Sequence, residues 1–171
     1  RFVSSLRICR ERKVIPMARL KILTEGDTAL RLKSRPVESV TPRILRLLDD
    51  MAETMRLAEG CGLAAPQVGV LRRVVVIETT PGELLELVNP EIIAREGEQR
   101  EWEGCLSLPG RQGRTVRPMR VTVRAQDREG KVRLYTGEGL LARAFCHEID
   151  HLDGILLTDH AQMLDVNSGD V

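Results

Sequence analysis

Aromatic side chains are nearly missing from this chain: two Phe, one Trp and one Tyr among 171 residues. Stacking platforms for single-stranded nucleic acid are hard to build from so few rings, and the core must be aliphatic. Excess charge of either sign is also lacking, with 26 Lys and Arg against 25 Asp and Glu. A net charge of +1 supplies no broad field for DNA or an anionic membrane, so neither is an expected partner. Apolar runs such as Val74–Ile77 fall far short of the roughly 18–20 residues that span a bilayer. Cysteine occurs only at positions 9, 61, 105 and 146, too few and too scattered for a disulfide framework. A reducing cytoplasm is the expected compartment.

What remains is 42% hydrophobic and 30% charged, enough for one domain with its own core. Residues 1–16 stand apart: Arg1, Arg7, Arg10, Arg12 and Lys13 face a single acid, Glu11. They read as a basic N-terminal extension, added upstream or flexible, with 17–171 as the folded domain and Met17 as the natural start. An Arg-rich transit segment is the alternative, and would place the protein in an organelle stroma or matrix.

After Thr41, Pro42 sits at a helix-opening position. Ile44, Leu47, Leu48, Met51, Met55 and Ala58 then recur at helical spacing, predicting a helix over 42–58 closed by Gly60. Arg73–Glu78, Leu84–Val88, the alternation at Val121 and Val123, and Val132–Tyr135 after the Asp127–Gly130 turn predict strands, several in hairpins. Glu138–Leu152 predicts a second helix, closed by Gly154. The expected fold is therefore α+β, a single domain of mixed or antiparallel sheets packed around a C-terminal helix.

That second helix carries His147-Glu148-Ile149-Asp150-His151. Residues four apart project from one face, so both imidazoles can reach one cation while the Glu between them faces its water. A catalytic site of this kind needs a third protein ligand and an open position. Downstream, no Glu follows Glu148 and Leu157 stands where a further His would fall; Asp159, His160 and Asp165 remain as candidates. Upstream, Cys105 lies in Glu103-Gly104-Cys105-Leu106-Ser107-Leu108, where Leu-Ser-Leu has strand alternation. Its sulfur reads equally well as a thiolate ligand or as a buried structural cysteine. A third segment, Gly60–Gly69, is stripped of bulk and offers the Gln67 amide; it reads as room for a substrate chain or as an ordinary loop.

The three segments together, Gly60–Gln67, Glu103–Ser107 and His147–His151, resemble the peptide deformylase family, whose marks GxGLAAPQ, EGCLS and HExDH occur in this order. The similarity extends from about Ala18 to Leu157, with Thr28 where Pro is frequent and Cys61 where Val or Ile is common. The resemblance implies one divalent ion held by Cys105, His147 and His151: Fe(II), with Zn(II), Ni(II) or Co(II) as substitutes. It implies Glu148 as proton acceptor and donor, and Gln67 with the Leu106 backbone N–H as oxyanion stabilisers. The implied substrate is an N-formylmethionyl peptide or nascent chain, with a transient ribosome contact and release of formate. Its backbone would pair near Gly60–Gly62, its methionine entering a pocket assigned to Cys61, Phe145 and Cys146. Glu103 and Arg117 are candidates for an ion pair steadying the Cys105 loop. Alternatives are a general HExxH metallopeptidase, and a non-catalytic family member that binds N-termini, for which loss of the Glu would be the expected mark.

Overall fold

The computed structural model describes residues 19–166; the basic segment 1–16 and Met17 lie outside the described residues. Helix α1, Pro42–Leu57, follows Thr41 as expected, with proline in its first turn and Leu48, Met51 and Met55 buried along one stripe. Strands β1 (Gly62–Ala64), β2 (Val74–Ile77), β3 (Leu85–Glu96), β4 (Gln99–Gly104), β5 (Arg111–Arg117), β6 (Arg120–Gln126) and β7 (Val132–Glu138) come next. Helix α2 (Leu140–Leu152) and strand β8 (Gln162–Asp165) complete the order.

Five strands form an antiparallel sheet in the order β1-β2-β3-β6-β7, and β4-β5-β8 form a smaller one. The unbroken run Val74–Ile77 is explained by helices on both sides of β2. Val75 and Ile77 join the core beneath α2, whereas Val74 and Val76 join the core beneath α1. At β6 only one face is covered, so Val121, Val123 and Ala125 are buried and their neighbours are not. The Asp127–Gly130 turn links β6 to β7, with the Asp127 carboxylate accepting from the N–H groups of Glu129 and Lys131. Among the described residues no helix is long and apolar enough to cross a membrane.

Several boundaries differ from the sequence expectation. Strand β3 continues through Pro90 because a register shift between Val88 and Glu91 absorbs the missing donor, with Asn89 at φ 53°. Helix α2 begins at Leu140, since Glu138 still belongs to β7. Leu106–Leu108 is a turn rather than a strand: the Leu108 N–H donates to the Cys105 carbonyl at 2.9 Å. Sheets were expected, but strands β4, β5 and β8 were not among the predicted ones, for a reason that lies in the site they serve.

Candidate metal centre

Three segments converge on the His147–His151 motif of α2. Helix α2 presents His147 and His151 one turn apart, both buried, their rings 5.0 Å apart between centroids. Cys105 follows the last residue of β4 and points its sulfur at the helix, 3.3 Å from His151 Nε2. One donor atom from each of Cys105, His147 and His151 lies within 4.8 Å of the others, and no comparable trio occurs among the described residues. The downstream candidates are engaged elsewhere: Asp159 with Arg31, His160 with Asp150, and Asp165 with Arg111.

The donor set fits a divalent ion. A thiolate and two imidazoles suit zinc or a similar first-row metal, and only three protein ligands leave a position open. Burial drives the His151 imidazole toward its neutral, ligating form. Burial acts the same way on His147, but its hydrogen bonds with Cys105 and Glu103 prevail and raise it; that proton is the one an incoming ion would displace.

Glu103 and Arg117 do form the expected pair, and they hold the imidazole as well as the loop. Glu103 Oε2 lies 3.0 Å from His147 Nδ1, which orients that ring and leaves its other nitrogen facing Cys105. Its Oε1 accepts from Arg117 Nε at 3.0 Å and from Thr115 Oγ1 at 2.7 Å. Burial alone would raise the Glu103 carboxyl, but the bonds from His147 and Arg117 hold it at about 2. Arg117 in turn donates to Asp150 at 2.7 Å. Thr115 and Asp150 were missed in the sequence, although Thr115 shares a strand face with Arg117 and Asp150 lies within the HExDH motif. Replacing Glu103 by Ala should weaken ion binding by about 10- to 100-fold. It should also cost roughly 3 kcal/mol of stability, because Arg117 and His147 stay buried with one partner fewer. Chelator competition and thermal unfolding check both.

Glu148 occupies the other side of the histidines. Its carboxylate is buried, Oε2 has no partner among the described residues, and burial raises its pKa to about 7. A Cβ placed on Gly62 would overlap this carboxylate, which is why a glycine is required there. Gly62→Ala should displace Glu148 and lower turnover by about 100-fold, the usual effect of an ångström-scale misplacement; steady-state kinetics on a folded variant is the check. Gln67, also buried, is fixed at both ends of its amide. Its Oε1 accepts from the Ala64 N–H at 2.8 Å, while its Nε2 donates to Ser107 Oγ at 3.1 Å and lies 3.8 Å from Cys105 Sγ. Ser107, the last residue of EGCLS, is thus part of the site too. The Leu106 backbone N–H has no acceptor among the described residues.

A cavity of about 530 Å³ opens beside these groups, and Gly60, Cys61 and Gly62 line it together with Gln67 and Leu106. Gly60 packs closely there as well: a Cβ would come within 2.6 Å of Leu106 Cδ1, so that the Leu106 side chain would have to shift. Phe145 and Cys146, assigned to the pocket, do not line it. They lie buried on the core face of α2 with Ile149 and Leu152, and the helix turns Leu140, Arg143, Ala144 and His147 to the cavity instead. At 100° per residue the positions two and one before His147 cannot share its face, whereas those four and seven before it can.

Comparison with known proteins gives a consistent result. A family model for polypeptide deformylase matches residues 19–167. A peptide deformylase of Acetivibrio thermocellus is 59% identical over 138 residues, 81% of either chain. One of Alkaliphilus metalliredigens is 56% identical over 84% of this chain and 97% of its own. Among solved structures, a peptide deformylase from Legionella pneumophila superposes with a TM-score of 0.82 at 46% identity, covering 85% of this chain and 87% of that one. One from Synechococcus elongatus in complex with actinonin has a TM-score of 0.81 at 36% identity, covering 84% and 80%.

Proposed function

The chain belongs to the polypeptide deformylase family, and from that premise we propose that it removes the N-terminal formyl group of formylmethionyl peptides at the centre formed by Cys105, His147 and His151. The observation that carries this reading is the convergence of one sulfur and two imidazoles beside a buried carboxylate. When bound, the divalent ion supplies a Lewis acid that lowers the pKa of water from near 16 toward 7. Ferrous iron is the ion the family resemblance implies, and the same donors accept zinc, nickel or cobalt.

The residues divide the remaining work. Glu148 accepts a proton from the attacking water and later gives it to the departing amine. The hydroxyl oxygen joins the formyl carbon, and the C–N bond breaks to leave formate and a free methionyl N-terminus. Gln67 Nε2, held by Ser107, and the unpaired Leu106 N–H stand on the Cys105 side, where they can donate to the developing oxyanion. The free edge of β1 accepts the peptide backbone as an added strand, with Gly60 and Gly62 giving it room. Nascent chains in the cytoplasm are the proposed substrates, and a transient ribosome contact follows from where they emerge.

Formate release from formyl-Met-Ala-Ser by protein loaded anaerobically with Fe(II) or Ni(II) tests the reading. One formate per peptide consumed is expected. Internal peptide cleavage without formate would favour a general metallopeptidase.

A further inference from the structure

The C-terminus of α2 explains three of the cations gathered around it. The Leu152 carbonyl, past the reach of helical donors, accepts from the Ser34 N–H at 2.8 Å and from Arg73 Nη1 at 3.4 Å. Arg73 also donates to Asp153 at 2.8 Å, Lys33 Nζ lies 3.9 Å from the same carboxylate, and Arg31 pairs with Asp159. Positive charge is favourable at this end of a helix, so Arg31, Lys33 and Arg73 have a local reason to stand there.

Arg35 and Arg72 have no such reason. A parallel bridge sets them side by side: the Arg35 N–H donates to the Leu71 carbonyl at 3.1 Å, and the Arg73 N–H to the Arg35 carbonyl at 3.0 Å. Bridged residues sit about 4.8 Å apart and point the same way, so two like charges share one patch, an unfavourable pairing. Both side chains are exposed, and neither makes an ion pair or hydrogen bond among the described residues. Ser34 is buried, which turns Lys33 outward beside Arg35 and lengthens the ridge. The chain as a whole is nearly neutral, yet here Arg31, Lys33, Arg35, Arg72 and Arg73 meet only Asp153 and Asp159.

This ridge is remote from the cavity, which none of its cations lines. Gly62, at the cavity, pairs with Ile77 at the far end of β2; from there to Arg72 is five residues, about 16 Å of extended chain. The guanidinium groups carry forked donors that match phosphate oxygens. No aromatic residue stands in the segments 31–37 or 69–73, so the contacts go to a phosphate backbone rather than to stacked bases. Lipid headgroups offer phosphate too, but Leu32, 49% exposed, is a single apolar side chain where interfacial anchoring takes a whole amphipathic face.

We propose that the ridge centred on Arg35 and Arg72 is a docking surface for the phosphate backbone of structured RNA, one that leaves the cavity open while the protein is docked. The choice of RNA rests on the deformylase reading, since nascent chains emerge from the ribosome, so the test reads the two separately. Fluorescence anisotropy follows binding of a labelled RNA hairpin from about 50 to 200 mM salt. The whole chain is compared with Arg35→Ala/Arg72→Ala, the charge-keeping Arg35→Lys/Arg72→Lys, and Arg43→Ala/Arg46→Ala on the exposed side of α1. In the Arg35→Ala/Arg72→Ala protein we expect about tenfold weaker binding at the lowest salt and a log–log salt slope shallower by about 2, one per lost phosphate contact. The Lys pair and the α1 pair should keep the parent's slope. Formate release from formyl-Met-Ala-Ser should be equal in all four. A parent that does not bind the hairpin, a slope unchanged in Arg35→Ala/Arg72→Ala, or an equal loss in the α1 pair would overturn the proposal. So would tighter binding to vesicles of phosphatidylserine and phosphatidylcholine, or to polyglutamate, than to RNA. Absent formate release in every protein would sink the deformylase reading, while the hairpin titrations still decide for the ridge.

Discussion

Glu148→Gln should reduce formate release by about 10²- to 10⁴-fold while the protein keeps its ion, because the substitution preserves shape and removes only the ability to carry a proton. Metal analysis alongside steady-state kinetics separates this outcome from simple loss of the site. The burial that raises the Glu148 carboxyl to about 7 gives the prediction a pH signature. The ionised form accepts the proton, so activity falls as pH is lowered through that pKa; a bound cation favours the ionised form and moves the acid limb below 7. Unchanged turnover in the Gln variant would remove Glu148 from the chemistry.

Cys105→Ser should have the second large effect, acting on the ion itself. A serine hydroxyl does not ionise near neutral pH and is a poor replacement for a soft thiolate donor. Loss of a residue that merely orients a ligand costs about 10- to 100-fold in affinity, so loss of a ligand should exceed 100-fold. A chelator that leaves the parent loaded should strip the variant. Because Cys105 sits in a turn after β4, at partial exposure, the fold should survive, and circular dichroism checks this. A normal ion content would point to another third ligand.

What the sequence disclosed and what it concealed follow from the same physics. Helix α1, β2 and α2 bury aliphatic residues, so their periodicities were readable, and the unbroken run Val74–Ile77 reflects cover on both faces. The sheet of β4, β5 and β8 turns Glu103, Thr115 and Arg117 inward, where Glu103 meets His147 through a hydrogen bond rather than through apolar packing. With polar residues on the buried side, hydrophobic alternation gave no signal there. Spacing by itself pointed to His147, Glu148 and His151, whereas the roles of Cys105 and Gln67 came from the resemblance of their segments to the family. Phe145 and Cys146 were misassigned because adjacency to His147 in sequence is not adjacency on a helix face.

The central claim is that one sulfur and two imidazole nitrogens share a single ion. X-ray absorption on the zinc-loaded protein measures this directly. The account predicts one sulfur at about 2.3 Å and two nitrogens at about 2.0–2.1 Å, with the sulfur absent in Cys105→Ser. A first shell of nitrogen and oxygen alone in the parent protein would contradict it.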